Sequence, residues 1–243
     1  MRKILQLILV LSLGFWIPQI VGATPLTVDS SSGSLSASVT FSTTGNSLIV
    51  TLSNTSTSDV LVPTDVLTAV FFDSTGVPLT LSKTSAILPI GSSVLFGVTG
   101  PGGSVGGEWA YKSGLVGAPE GAQYGISSTG VNLFGPPNRF LTTPVSNLQG
   151  PTSPGGLEYG ITSAGDLQAT GNTPVTGQFA LIKNSVVFTL GGLPDGFDPS
   201  TSIFNVSFLY GTDLASVPEP ATMFLLGFGL IGAGVFARRR FKK

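Results

Sequence analysis

Leu35, Ala37, Val39 and Phe41 alternate with Ser36, Ser38 and Thr40, and Leu48, Val50 and Leu52 alternate with Ile49, Thr51 and Ser53. Apolar side chains at every second residue share one face of a pleated strand, so both runs read as half-buried strands. Thr44-Gly45-Asn46-Ser47 lies between them as a hairpin connection. Further strands are predicted over 67–72, 86–88, 93–98, 132–134, 178–182, 185–190 and 205–210. Lys183-Asn184 is read as a tight turn joining two of them. The body carries no convincing amphipathic helix pattern. Many short strands separated by Gly, Pro, Ser, Thr and Asn predict a mainly β fold, an antiparallel sandwich. The Gly-, Ser- and Pro-rich stretch 97–107 is expected to be a flexible surface loop or a seam between two sub-regions.

One heptapeptide is echoed. Tyr124-Gly-Ile-Ser-Ser-Thr-Gly130 returns as Tyr159-Gly-Ile-Thr-Ser-Ala-Gly165. Two copies are too few for a solenoid. The plainer reading is a pair of similar strand-and-turn units with tyrosines packed at a sheet edge. The functional alternative is an aromatic surface for a glycan, built from Tyr124, Tyr159, Trp109 and Tyr111.

The chain has no cysteine and no histidine. Without histidine it lacks the commonest general base and the commonest transition-metal ligand, which argues against zinc, haem and Ser-His-Asp chemistry. A body of this size builds its core without disulfides. Residues 24–217 hold eleven acidic and four basic side chains (Lys83, Lys112, Arg139, Lys183). That acidic balance repels phosphate backbones and excludes nucleic acid as a partner.

The basic charge sits mostly at the ends. Arg2 and Lys3 precede an apolar stretch that Pro18 breaks, and Val21-Gly22-Ala23 supplies small residues at a cleavage position. Residues 1–23 are therefore expected to be a secretory signal peptide cut after Ala23, with an uncleaved anchor as the alternative. At the other end Pro218-Glu219-Pro220 opens into an apolar run over 221–237, closed by Arg238, Arg239, Arg240, Lys242 and Lys243. Seventeen helical residues reach about 26 Å, within the range for one transmembrane helix. The basic end should stay cytoplasmic and the body outside. Two prolines hold the motif extended, clear of the helix that follows.

A Pro-Glu-Pro triplet, a single apolar span and an Arg-rich end, in that order, resemble the PEP-CTERM sorting signal of exosortase-dependent bacterial surface proteins. The resemblance covers about a tenth of the chain. It implies recognition at Pro218, Glu219 and Pro220 by exosortase, an integral-membrane cysteine transpeptidase, after passage through the Sec translocon and signal peptidase. It also implies cleavage near the motif and delivery to the cell surface or extracellular polymer of a Gram-negative bacterium, in association with biofilm exopolysaccharide. The body, through Gly106-Gly107-Glu108-Trp109-Ala110-Tyr111, the two Tyr-Gly-Ile copies and Asn205-Val-Ser-Phe-Leu-Tyr-Gly-Thr212, resembles exosortase-dependent surface proteins without a known activity.

The organisation expected is thus a signal peptide (1–23), a β-rich exported domain (24–217) and a sorting signal (218–243). The expected role is that of a non-catalytic surface or matrix protein without cofactor. The alternative is a glycan-binding module attaching the cell to extracellular polysaccharide. Glu108, Glu120 and Glu158 offer carboxylates for acid/base work, but their spacing singles out no pair. Asp195-Gly-Phe-Asp198 and Asp73-Ser-Thr-Gly76 offer turn oxygens of the kind calcium takes, without matching an EF-hand loop.

Overall fold

The computed structural model describes residues 23–76, 78–140, 147–150, 157–170, 175 and 177–214. Among the described residues twelve strands form two sheets. The first contains β1 (Leu26–Ser32), β2 (Leu35–Thr44), β3 (Ser47–Asn54), β5 (Ser82–Ile87) and β11 (Ser185–Gly191), in the order β1-β2-β3-β11-β5. The second runs β6 (Ser93–Leu95), β10 (Leu181–Lys183), β9 (Ile161–Thr162), β4 (Leu67–Ser74), β8 (Tyr124–Ser127) and β7 (Ala110–Ser113). β12 (Ile203–Tyr210) pairs with β4. All pairings are antiparallel except β9 with β10, which is parallel.

The alternating residues of β2 and β3 do what their period requires. Val39, Phe41, Leu48, Val50 and Leu52 are buried toward the second sheet, where Leu67, Val70, Phe72, Ile126 and Tyr210 join the same core. Phe41 meets Phe72 edge-on at 5.1 Å, and Trp109 meets Phe188 at 4.9 Å. Offset and edge contacts of this kind are the favoured aromatic geometries. Residues on both sides of 97–107 contribute to this one core. The first part of that stretch is a surface loop with Val98 fully exposed. The second part pairs along β5, where Val105 N–H donates to the Ala86 carbonyl at 2.9 Å.

β4 is buried along its whole apolar run because it is covered on both faces. Val70 and Phe72 face the first sheet, whereas Ala69 and Phe71 face a cap made by Leu115, Ala118, Val131, Leu133, Phe134 and Phe140. A strand buried on both faces reads as a continuous apolar stretch rather than an alternation. A register shift at Leu209/Tyr210 leaves Thr68 outside the ladder. Its hydroxyl instead donates to the Leu209 and Gly211 carbonyls.

The echoed heptapeptides both lie along one edge of β4. β8 pairs with residues 69–72, and Ile161 of β9 pairs with Leu67. Each copy ends on a glycine that the backbone approaches closely. A Cβ at Gly130 would strike the Pro136 and Arg139 carbonyls, and one at Gly165 would strike the Thr57 carbonyl. The repeat is thus a packing solution used twice.

Two sequence expectations are corrected. Lys183-Asn184 does not close a hairpin: β10 and β11 belong to different sheets. Asn184, at φ 84°, is where the chain crosses between them. Residues 132–134 form a turn, with Asn132 at φ 60° and the Leu133 and Phe134 amides donating back to the Gly130 carbonyl. The helix α1 is a single turn (Pro199–Ser202).

Candidate functional site

The sandwich has two ends, and the chain enters at one and leaves at the other. At the entry end the Thr24 amide donates to Asp198 Oδ1 at 3.1 Å. Asp198 also caps α1, accepting from Ser200 N–H at 3.0 Å and from Ser200 Oγ at 2.9 Å. Those bonds, Ser200's above all, hold its carboxyl below the ordinary range. The Gly45-Asn46 turn lies at the same end, with the Asn46 carbonyl accepting from Leu193 N–H.

At the exit end, β12 finishes beside the start of β4. Tyr210 pairs with Leu67, and Gly211 N–H donates to the Val66 carbonyl at 2.8 Å. Leu214 then packs against the cap. Asn54, buried at the end of β3, ties the two sheets together here. Its side-chain amide donates to Ile161 O at 3.1 Å and Asp65 O at 3.3 Å, and its Oδ1 accepts from Ser56 N–H.

Next to it, two loops clasp each other through carboxylates. Val60 N–H donates to Asp166 Oδ1 at 3.2 Å, and Leu167 N–H donates to Asp59 Oδ1 at 2.9 Å. The two carboxyls also hydrogen-bond one another. Burial is the main cause that raises Asp166, with the bond to Asp59 adding to it. The Leu167 N–H is the main cause that lowers Asp59. Lys183 Nζ donates to the Asp166 backbone carbonyl at 2.8 Å.

The fold therefore prefers neutral Asp166 and ionised Asp59. The Asp166 contribution is full below the ordinary carboxylate range and is lost as pH rises through its raised value. The Asp59 contribution is full above that range and is lost as pH falls through its lowered value. Together they peak within the ordinary range, about pH 4. Asp166→Asn keeps the acceptor for Val60 and removes the ionisation. We expect it to raise the melting temperature at neutral pH and leave it little changed near pH ~4. Thermal melts across pH test this; a lower melting temperature at neutral pH would contradict it.

The structure places the other residues of interest as follows. Trp109, Tyr111 and Tyr124 are buried, which agrees with the plainer reading of packed rings and leaves the alternative of an aromatic glycan surface without an exposed ring at these three positions. The reason is the fold: all three line the core between the sheets. Tyr124 stacks on Phe72 at 5.5 Å and its hydroxyl accepts from Leu79 N–H at 2.9 Å. Burial pushes the Tyr111 phenol well above its usual range. Tyr159 is half-buried with a left-handed backbone, φ 59°. Burial raises its phenol, and the neighbouring Glu108 and Glu158 raise it further.

Glu108 is buried in a 3-10 turn (Gly106–Glu108), and Glu158 is raised by burial against the opposing pull of Arg139. Glu120 lies apart in the cap, where its carbonyl accepts from Asn205. Asp73 is engaged by Gln123 N–H and Asn205 Nδ2, both at 2.9 Å. Asp195 sits in an open turn. Among the described residues no three carboxylates gather into a metal-binding group. Ala23 is the first residue of the described body. Val21 and the segment holding Pro218, Glu219, Pro220, Arg238, Arg239 and Arg240 lie outside the described residues.

Residues 216–240 match the family model described as the PEP-CTERM protein-sorting motif. No curated protein and no solved structure matches the chain. The chain thus carries a handle for exosortase-dependent sorting of an exported, membrane-anchored protein to the surface, attached to a β-rich body.

Proposed function

We propose that the chain is a non-catalytic component of the cell surface or extracellular matrix, released there when exosortase cuts it near Pro218–Pro220. The observation that carries the reading is the sorting motif at residues 216–240. The body supports it in a different way. Trp109, Tyr111, Tyr124 and Tyr210 fill the core, and Asp73, Asp166 and Asp198 hold loop amides or cap a helix. Groups engaged in that way are structural parts of a closed sandwich.

The three parts of the tail have separate tasks. The apolar run halts translocation, the basic end keeps its side of the membrane, and the Pro-Glu-Pro segment presents an extended peptide to the enzyme. In a strain with exosortase, peptide mass spectrometry of the surface form should find nothing between Met223 and Lys243. In a strain deleted for exosortase those peptides should reappear on a membrane-bound form. If the tail persists equally in both, the sequence at 216–240 acts as an anchor alone.

A further inference from the structure

Four of the large apolar side chains left exposed on the body are gathered at its exit end. Leu61 is 54 % exposed, Val62 45 %, Leu167 57 % and Ile90 96 %. They come from distant parts of the sequence. Leu61 and Val62 precede the 3-10 turn Pro63–Asp65 that leads into β4. Leu167 is bound to the same place by its amide bond to Asp59. Ile90 sits in the turn whose Gly91 carbonyl accepts from Asn184 Nδ2, and Asn184 in turn accepts from Asn54 N–H and donates its own amide to the Thr162 carbonyl. Scattered single apolar residues are normal on a surface, but clusters at one end are associated with contact surfaces.

The same end is where the chain leaves for the membrane. Gly211 is bonded to Val66, the residue that follows the Pro63–Asp65 turn. Six residues, 215–220, separate Leu214 from the apolar run. Fully extended they reach about 25 Å. That is comparable to the length of one eight-residue strand of the sandwich, about 27 Å. A tether so short keeps the exit end nearest the bilayer in all but a fully stretched arrangement.

From these placements we infer that the anchored body stands on its exit end, with Leu61, Val62, Ile90 and Leu167 resting in the outer interface of the bilayer. The inference rests on the sorting reading, because it needs the tail in the membrane. Asp59, Asp65 and Asp166 lie beside the patch, which favours zwitterionic over anionic headgroups. In this posture Pro218–Pro220 is held at membrane height, where an integral-membrane enzyme works. The patch is then uncovered when the body is released.

The chain has no native cysteine, so single labels are clean. Full-length protein from an exosortase-deficient host would carry Leu61→Cys, Ile90→Cys or Leu167→Cys, with Asn46→Cys and Phe204→Cys as controls at the other end. Each would bear an environment-sensitive fluorophore and be reconstituted in phosphatidylcholine–phosphatidylethanolamine vesicles containing a lipid-borne quencher. Residues seated ~5–10 Å into the interface should lose about half their emission. The two controls should lose almost none.

Retention of the full chain by the vesicles after a carbonate wash reads the anchor separately. If the chain washes off, the sorting reading fails and takes this inference with it. If it is retained but positions 61, 90 and 167 are quenched no more than 46 and 204, the docking inference alone is overturned. Protection of those positions only when exosortase is reconstituted alongside would also overturn it, assigning the patch to a protein partner.

Discussion

Replacing Pro218-Glu219-Pro220 by three alanines is expected to abolish release of the body and leave a slightly larger, membrane-bound form. The substitution changes the tail in two ways. It removes the Pro-Glu-Pro triplet, the proposed recognition element, from a motif that spans residues 216–240. It also frees the backbone, since alanine favours the helix that proline forbids and would let the cleavable segment turn helical. Either effect withholds an extended peptide from the enzyme. The apolar run over 221–237 and Arg238, Arg239 and Arg240 are untouched, so membrane arrest and orientation should persist. Immunoblots of membrane and surface fractions, with mass spectrometry for the 223–243 region, give the outcome. Normal release of the alanine variant would remove Pro218–Pro220 as the recognition element. Mislocalisation without membrane retention would locate the effect in export instead.

Trp109→Ala is expected to destabilise the body severely, by about 3–5 kcal/mol. The indole is fully buried between the sheets and meets the Phe188 ring edge-on at 4.9 Å. Phe188 is held by the ladders of β11 with β3 and β5, so it cannot close fully over the cavity. Folded domains have total stabilities of about 5–15 kcal/mol, so the loss is a large share. Denaturant melts of the released surface form measure it. The experiment also separates packing from binding: a surface ring contacting a glycan would lose affinity on truncation while the melt stayed in place. An unchanged melting midpoint would show that Trp109 does not carry the core. Trp109→Phe, which keeps an aromatic ring in the site, should recover much of the loss.

How much of this was legible beforehand depends on the element. β2, β3 and β11 were visible because each has one face on the core, and that asymmetry writes itself as alternation. The second half of β12 is covered on both faces, Phe208 and Tyr210 by the inter-sheet core and Leu209 by the cap, and it was visible by its apolar content. β4 was visible as an unbroken apolar run. β1 was not, since its solvent-facing edge carries Thr, Asp and Ser around only two apolar residues, Leu26 and Val28. β7 is too short to show a period, and β8 and β9, also short, were legible only through the echoed heptapeptide. The turn at 132–134 looked like a strand because Leu133 and Phe134 are apolar, yet their apolarity serves the cap over β4. Lys183-Asn184 has the composition of a hairpin turn, and composition cannot say which sheet the next strand joins.

The sorting motif was readable as a string because it is one: it lies in consecutive residues, 216–240. The β character of the body was equally local, since strand pairing imposes a period of two wherever one face is dry. Tertiary structure alone decided which aromatic rings are core and which carboxylates meet, as with Asp59 and Asp166. It also decided that Leu61, Ile90 and Leu167 share one end with the departing chain. Such relations join residues far apart in sequence, and their energy comes from burial and from bonds across the sandwich. No short window of sequence contains both partners, so only the folded chain brings them together.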